Sequence, residues 1–347
     1  MSELVKRIFD YGSVSTELSL LSDSRLIELL SKANPLGSGI GGRSVSLVIS
    51  EKPVFVKRIR LTELERRNAF STENVFMLPS YYQYGIGSTG FGVWRELATH
   101  IMTTNWVITG ECQNFPLMYH WRILPEPAPQ IMTPEDLKET EDSVRYWENS
   151  IQIHERLQAI QEASYSIVLF LEHIPETVND RLKRQLNLGD GSISTSCALV
   201  EKDLTAVLKF IGSKGLLHFD AHFRNLLTDG SRVYFADFGL AMSNRFRLSN
   251  EEIEFFRKHR DYDRFYTVTH LVNWLITAIA GRDEIEPVLQ GYAAGNPQKS
   301  FHSSIEAILQ KYHPIALVMN RFFGELQTRS RKTPFPTDEL AKLEHLL

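Results

Sequence analysis

The sequence predicts an α+β fold in two lobes. An antiparallel sheet and a helix are expected to form the N-terminal lobe, and mainly helices the C-terminal lobe. Short runs rich in Val, Ile and Phe, which strands favour, are concentrated before about residue 175. Beyond that point apolar residues recur at helical spacing over long segments. We therefore expect lobes over 34–174 and 175–347, with a cleft between them.

Length and charge restrict the class of protein. A chain of 347 residues is long enough for two modest lobes. A net charge of −4 provides no basic field, so nucleic acid is not an expected partner. Cys112 and Cys197 have no metal-ligand pairing nearby, which fits a reducing, cytoplasmic location. Neither a signal peptide nor an apolar run long enough to span a membrane is recognisable.

The N-terminal lobe is predicted to follow a helical extension over 1–33. Its elements are expected in this order: a helix over 23–33 capped by Ser22 or Asp23, a glycine cluster at 37–42, strands at 44–50 and 53–59, a helix over 93–106, and strands at 114–124 and 165–173. Insertions at about 58–92 and 125–164 lie between these elements. Thr133 and Pro134 open a helix in the second insertion, and apolar spacing predicts one helix over 134–163.

The C-terminal lobe is predicted to be mainly helical. Helices are expected over 197–212, over 250–259 with Ser249 as a cap, over 261–280, and over most of 302–347 apart from KTPFPTDEL. The segment GLLHFDAHFRNLLTDGSRVYFADFGLA, at 215–241, is predicted to form two short strands around polar loops.

Two acids and an amide stand on these loops: Asp220, Asn225 and Asp237. Mg²⁺ prefers oxygen ligands and holds them together with nucleotide phosphates, so Asn225 and Asp237 are candidate metal ligands. Asp220 is suited to orient an attacking hydroxyl or to accept its proton. These residues match the parts that phosphoryl transfer from a nucleotide needs: oxygen ligands for the metal and a group that orients the attacking hydroxyl.

The motifs resemble those of the protein-kinase-like superfamily over about residues 34 to 280. HFD at 218–220, followed five residues after Asp220 by Asn225, and DFG at 237–239 are the most specific of them. The resemblance implies a bilobal kinase fold, ATP and Mg²⁺ as cofactors, and packing roles for His218 and Phe238 in holding the two loops in place.

The resemblance also implies an ATP site in the N-terminal lobe. GSGIGG is similar to the loop that covers the phosphates, through Gly37, Ser38, Gly39, Gly41 and Gly42. Lys57, in VFVK, would position the α- and β-phosphates. Glu96 is the helix glutamate expected to pair with Lys57, and Glu73 is its rival. LEHIP is similar to the hinge whose backbone pairs with adenine, at Glu172, His173 and Ile174.

Several positions depart from most protein kinases. Phe219 stands where many protein kinases carry an arginine that binds a phosphate on the activation loop. Switching of activity by phosphorylation of that loop is therefore not expected. His222, a candidate donor to a γ-phosphate oxygen, stands where protein kinases usually carry lysine and aminoglycoside phosphotransferases carry histidine. DFGLA at 237–241 is more typical of protein kinases. No Ala-Pro-Glu anchor follows it, and either Asp261 or Asp263 is expected to brace the catalytic loop.

Three hypotheses follow from the resemblance. The first is a serine/threonine protein kinase, which would phosphorylate a protein substrate and itself at Ser38 or Ser44 in the phosphate-covering loop. The second is a small-molecule kinase acting on a small hydroxylated compound, which His222 favours. The third is a nucleotide-binding pseudokinase scaffold. The insertion at 125–164 would dock a partner or a second protomer, or, as we prefer, fold its apolar side onto the N-terminal lobe.

Overall fold

The computed structural model describes residues 2–39, 42–126 and 134–347. Up to residue 174 the elements are α1 (Glu3–Leu20), α2 (Asp23–Ser31), β1 (Asn34–Gly39), β2 (Gly42–Ile49), β3 (Lys52–Leu61), α3 (Glu63–Arg67), a 3₁₀ helix (Ser80–Gln83), α4 (Val93–Ile108), β4 (Met118–Pro125), α5 (Pro134–Tyr146), α6 (Ile151–Gln161) and β5 (Tyr165–Glu172). The elements that follow are β6 (Glu176–Thr177), α7 (Val178–Asn187), α8 (Asp190–Ser213), β7 (Leu216–Leu217), β8 (Leu226–Thr228), β9 (Val233–Phe235), β10 (Met242–Ser243), α9 (Asn250–Lys258), α10 (Tyr262–Ala280), a 3₁₀ helix (Arg282–Glu284), α11 (Ile285–Ala293), α12 (Ser303–Thr328), α13 (Thr337–Ala341) and a 3₁₀ helix (Glu344–Leu346).

The chain forms two compact units. The first comprises Met1–Ile174 and Asp237–Glu251, and the second comprises Pro175–Ala236 and Glu252–Leu347. The division expected from the sequence placed the segment after Asp237 with the C-terminal half. The contacts of that segment instead group it with the N-terminal elements, so Asp237 belongs to the same unit as the five-stranded sheet.

The first unit is built on an antiparallel sheet with the strand order β1-β2-β3-β5-β4. Side chains alternate between the faces of a strand, so Val54 and Val56 of β3 are buried on one face. Phe55, Ile59 and Leu61 lie on the other face, where they pack with Trp94 and other buried residues of α4. The mixed composition of helices and antiparallel strands confirms the α+β prediction.

The insertion at 58–92 folds back onto the first unit through a second apolar cluster. Phe76, Leu78 and Tyr82 pack there with Trp147 and Ile153 from the other insertion. Trp147 and Ile153 of the second insertion are therefore buried within their own unit, whereas Leu137 and Ile151 of the same insertion are exposed. This is the preferred one of the two arrangements that the sequence suggested.

The prediction of one helix over 134–163 is wrong. The chain ends α5 at Tyr146 and begins α6 at Ile151. Glu148 and Asn149, between the two helices, have left-handed φ angles of 62° and 54°, which cannot continue a right-handed helix. The break lies beside Trp147, which is 1% exposed and packs against Tyr82. Thr133 lies outside the described residues, so its predicted cap does as well.

The second unit is mainly helical and encloses a small antiparallel sheet of order β6-β8-β9. The helix α10 packs against α12 and α8, and its buried residues include Leu271, Val272 and Leu275. The predicted helices over 261–280 and 250–259 are confirmed. The helix expected over 197–212 begins earlier, at Asp190.

Among the described residues, no helix is both long enough and apolar enough to cross a membrane.

Candidate active site

Lys57 lies in the middle of β3, opposite Ser44 of β2 and Leu169 of β5. It shares a strand face with Phe55 and Ile59, and that face packs against α4. Its side chain is therefore directed among apolar groups, and Lys57 is only 7% exposed. A buried ammonium needs acidic partners, because leaving it unpaired away from water is costly.

Two carboxylates supply these partners. The ammonium Nζ of Lys57 lies 2.7 Å from Glu96 Oε1 and 2.7 Å from Asp237 Oδ1. Glu96 is 3% exposed on the first turn of α4. The rival Glu73 pairs elsewhere, with the exposed Arg247 at 2.8 Å. The structure thus brings together three of the predicted site residues within the first unit.

The charge state of this group follows from its contacts. Burial opposes the charged form of Lys57, but the carboxylates of Asp237 and Glu96 outweigh it and raise the lysine pKa above its ordinary value. Burial raises the pKa of Glu96, and the ammonium of Lys57 acts in the opposite direction. The 2.7 Å contact between Lys57 Nζ and Glu96 Oε1 is in the distance range of a charge-assisted hydrogen bond.

Separate contacts hold the DFG residues, at 237–239, in place. Asp237 has a left-handed φ of 59°, a conformation that aspartate tolerates better than most residues, and its Oδ1 accepts the N–H of Gly239 at 3.4 Å. Phe238 is 1% exposed and packs edge-on against His100 of α4, with ring centroids 4.9 Å apart. The packing role expected for Phe238 is therefore present in the first unit.

The second unit holds the other polar loop. Asn225 donates from Nδ2 to Asp220 Oδ2 at 2.9 Å and to the Asp220 carbonyl at 3.1 Å. His218 is fully buried, with its Nε2 2.9 Å from the carbonyl of Ala236. Its Nδ1 accepts the N–H of Asp220 at 3.3 Å, so Nε2 carries the proton. The residues predicted for this loop thus hydrogen-bond to one another and to Ala236.

Asp263, rather than Asp261, braces this loop. Its carboxylate accepts the backbone N–H groups of His218 at 2.6 Å and Phe219 at 2.8 Å. Burial raises the pKa of Asp263 to about 6, and these two hydrogen bonds act against the rise. Phe219 has a left-handed φ of 62°, which is costly for a bulky residue and persists because its N–H and ring are both held.

His222 lies beside Asp220, with its Nε2 3.8 Å from Asp220 Oδ1. Its Nδ1 accepts the N–H of Arg224 at 3.2 Å, so the neutral ring carries its proton on Nε2. The side chains of His222 and Asp220 are 28% and 22% exposed. A proton donor and a proton acceptor therefore stand together at the surface of the loop.

The described residues of the predicted phosphate-covering loop, 37–39 and 42, lie in the paired strands β1 and β2. Gly39 pairs with Gly42, Ser38 with Arg43, and Gly37 with Ser44 in this antiparallel register. Ser44 in turn pairs with Lys57, so the glycine-rich end and the lysine share one row of the sheet. Gly41, also predicted for this loop, lies outside the described residues.

Glu172 is the last residue of β5, and the other predicted hinge residues, His173 and Ile174, follow it. Arg7 of α1 binds both oxygens of the Glu172 carboxylate, at 2.9 and 2.7 Å, and Leu117 donates its backbone N–H to the same group at 3.0 Å. Among the described residues, no hydrogen-bond acceptor lies at the backbone N–H groups of His173 and Ile174. Sequence reasoning missed Arg7, because nothing local marks a helical arginine as the partner of a residue so far along the chain.

Two predicted metal ligands offer oxygens of the kind that Mg²⁺ prefers, Asn225 in the second unit and Asp237 in the first. Asn225 directs its amide nitrogen to Asp220, which leaves the amide oxygen as a hard ligand, and the side chain of Asp237 is 40% exposed. The described residues contain no cluster of three or more His, Cys, Asp or Glu that would hold a metal without further ligands. Such a donor set suits Mg²⁺, which is usually held by one or two protein oxygens together with phosphate. No protein-family model matches the chain, and no curated protein matches it.

Proposed function

We propose that the protein is an ATP- and Mg²⁺-dependent phosphotransferase that moves a γ-phosphoryl group to the hydroxyl of a protein serine or threonine. The single observation that carries the proposal is the buried Lys57 held between Glu96 and Asp237. A lysine kept charged inside a protein is suited to bind phosphate oxygens, and a partly exposed aspartate next to it is suited to hold the accompanying cation.

The residues would divide the work as follows. Lys57 binds phosphate oxygens and is kept in position by Glu96. Asp220, fixed by the amide of Asn225, orients the acceptor hydroxyl and receives its proton. Asn225 and Asp237 would provide oxygen ligands to Mg²⁺, which would offset charge on the phosphates. Positioning and electrostatics of this kind account for most of the catalysis of phosphoryl transfer.

His222 favours a second candidate, a kinase of small hydroxylated molecules. Its Nε2 carries a proton beside Asp220 and stands at the surface of the loop, where it can donate to a phosphate or to a substrate oxygen. The two candidates share the same chemistry and differ in the acceptor. A cytoplasmic location belongs to both proposals, and Cys112 and Cys197 are free thiols, as a reducing compartment requires.

The test is the transfer of labelled γ-phosphate from ATP in the presence of Mg²⁺. Asp220→Ala and Asp237→Ala should each abolish transfer in a protein that remains folded, since Lys57 keeps Glu96 as a partner when Asp237 is removed. Asp283→Ala, on an exposed 3₁₀ turn, serves as the control. Label on protein supports the first candidate, and label only on metabolites from an added panel supports the second. ATP binding without any transfer, or near-normal turnover of both variants, contradicts the proposal.

A further inference from the structure

A buried glutamate follows the strand that carries Lys57. Glu65 lies on α3 and is 1% exposed. One carboxylate oxygen, Oε2, accepts the backbone N–H of Thr62 at 3.0 Å and its hydroxyl at 2.7 Å, while Thr62 Oγ1 accepts the N–H of Glu65 at 3.2 Å. This is a capping box, which satisfies the first backbone donors of α3. A five-residue helix at the surface would not need the glutamate to be buried for that purpose.

The other oxygen, Oε1, serves a different helix. It accepts the backbone N–H of Val93, the first residue of α4, at 3.0 Å. The N-cap of α4 is Gly92, which offers no side-chain hydrogen bond of its own. Gly92 has φ 146°, and a Cβ there would lie 3.2 Å from Glu65 Oε1. Glycine thus permits the close approach of Glu65, which lies 28 positions before Val93 and caps α4. The negative charge of the carboxylate lies at the positive end of the helix dipole.

The charge of Glu65 is balanced from the second insertion. Arg156 of α6 is 3% exposed and donates from Nη1 to Glu65 Oε1 at 3.2 Å. Its guanidinium lies over the ring of Phe76, 5.1 Å from the centroid. The two insertions therefore meet at one buried ion pair. Buried ion pairs add little stability relative to apolar packing, so the arrangement points to a requirement for defined geometry.

The capped end of α4 is also the end that carries Glu96. Val93 and Glu96 lie three positions apart, about one helical turn. The indole Nε1 of Trp94 donates to the Glu65 carbonyl at 2.8 Å, which fixes the same turn from a second direction. From there the contact continues to Lys57, 2.7 Å from Glu96. Glu65 thus holds the turn of α4 from which Glu96 reaches the lysine.

We propose that Glu65 is a positioning residue for phosphoryl transfer, which acts through Glu96 and Lys57, and that Arg156 supports it by neutralising its charge. The inference rests on the proposed function. It assigns a common role to the two insertions: together they hold the Glu96 helix in the paired arrangement through contacts internal to the first unit.

The experiment measures hydrolysis of ATP with Mg²⁺, since water replaces an unidentified acceptor, and binding of a fluorescent ADP analogue. Glu65→Gln keeps the shape of the side chain but removes its charge. We expect kcat to fall on the order of tenfold to a hundredfold, more than KM for ATP changes, because displacement of a catalytic group weakens the transition state. In a Glu96→Gln background, Glu65→Gln should cause no further loss, since it acts through Glu96.

Gly92→Ala displaces the start of α4 by a second route, because its Cβ crowds Glu65 Oε1, and it keeps the charges of both Glu65 and Arg156. If circular dichroism shows that Glu65→Gln does not fold, Gly92→Ala takes its place. It must then lower kcat more than it changes KM for ATP, and cause no further loss in the Glu96→Gln background. Asp180→Asn is the matched control, because Asp180 caps α7 together with Thr177 in the second unit without reaching another helix. It should leave kcat unchanged.

Two results overturn the inference alone: an active wild type with an unchanged kcat in the folded variant, or a loss of kcat that is equally large in the Glu96→Gln background. The second would mean that Glu65 contributes only general stability. A wild type that neither hydrolyses ATP nor binds the ADP analogue would overturn the proposed function and this inference with it. The two failures are therefore distinguishable.

Discussion

The ammonium of Lys57 and the carboxylate of Glu96 form a buried ion pair of 2.7 Å between residues 39 positions apart in the chain. The pair joins β3 to the first turn of α4. Because both side chains are almost completely buried, the removal of the Glu96 charge leaves the Lys57 ammonium with Asp237 as its remaining acidic partner, and the side chain of Asp237 is 40% exposed. The geometry of the whole lysine site should therefore depend on Glu96.

Glu96→Gln should lower kcat/KM for ATP-dependent transfer by about a hundredfold, because a displaced Lys57 no longer meets the charge that develops on the phosphates. Steady-state kinetics of the folded variant provide the measurement. Glu73→Gln is the matched control, since Glu73 pairs with an exposed arginine and should leave the kinetics unchanged. A larger effect for Glu73 than for Glu96 would contradict the assignment.

The sequence alone could not decide which glutamate pairs with Lys57. Glu73 is nearer in the chain, but the segment around it folds away over the Phe76 and Tyr82 cluster and places Glu73 at the surface. Asp261 and Asp263 posed the same difficulty. They lie within one turn, and only burial distinguishes them: Asp263 is 3% exposed, while Asp261 binds Arg260 and Arg264 near the surface.

Local patterns predicted most strands and helices correctly, because the alternating or helical spacing of apolar residues matches the face that each element buries. The break between α5 and α6 was not predictable in this way. Neither glycine nor proline marks Glu148 and Asn149; asparagine tolerates the left-handed conformation, but this local signal is weak, and the buried Trp147 next to it packs in the Phe76 and Tyr82 cluster. Thr62-x-x-Glu65 is a capping-box pattern, so the cap that Glu65 provides to α3 could be predicted from the sequence. The contact of its other oxygen with the start of α4 could not, because local spacing does not identify it.

Arg7→Met should destabilise the first unit by about 3 kcal/mol, because it leaves a partly buried carboxylate without its charge partner. Arg7 also donates to the carbonyls of Gln113 and Phe115, at 2.9 and 2.7 Å, and these would lose a donor as well. Urea unfolding provides the measurement. Arg25→Met removes an arginine whose partner Glu28 is exposed and should hardly change the midpoint. Equal effects of the two substitutions would show that the contact to Glu172 contributes no stability.

Phe219→Arg tests whether the position before Asp220 can receive a phosphate. Phe219 is fully buried and packs against Tyr262 and Phe255, with centroids 4.8 and 5.8 Å away. An arginine there buries an unpaired charge, so we expect the second unit to lose about 4 kcal/mol or more. Phe219→Leu should cost roughly 1 to 3 kcal/mol and remain folded and active. A stable, folded Phe219→Arg protein would show that the loop can turn this side chain outward.

The stability of the second unit should decrease in mild acid because of His259. This side chain is 3% exposed, lies between the rings of Phe255 and Phe335, and its Nδ1 is 2.7 Å from the Phe255 carbonyl. Burial lowers its pKa to about 4, from 6.5 in an exposed histidine. Between these values the unfolded chain binds a proton that the folded chain does not. The stabilisation is therefore complete above pH 6.5 and decreases as the pH falls towards 4.

The expected loss over that window is about 3 kcal/mol, from a pKa difference of roughly 2.5. His259→Phe keeps the aromatic packing and cannot titrate, although it gives up the hydrogen bond to Phe255. Urea unfolding of both proteins from pH 4.5 to 7.5 should show a variant that is less stable at neutral pH and a gap that narrows in acid. Taking the difference between the two proteins cancels the opposite contribution of Asp263, whose raised pKa favours the folded state in acid. Parallel curves would mean that His259 titrates alike in the folded and unfolded chains, in which case the acid sensitivity has another source.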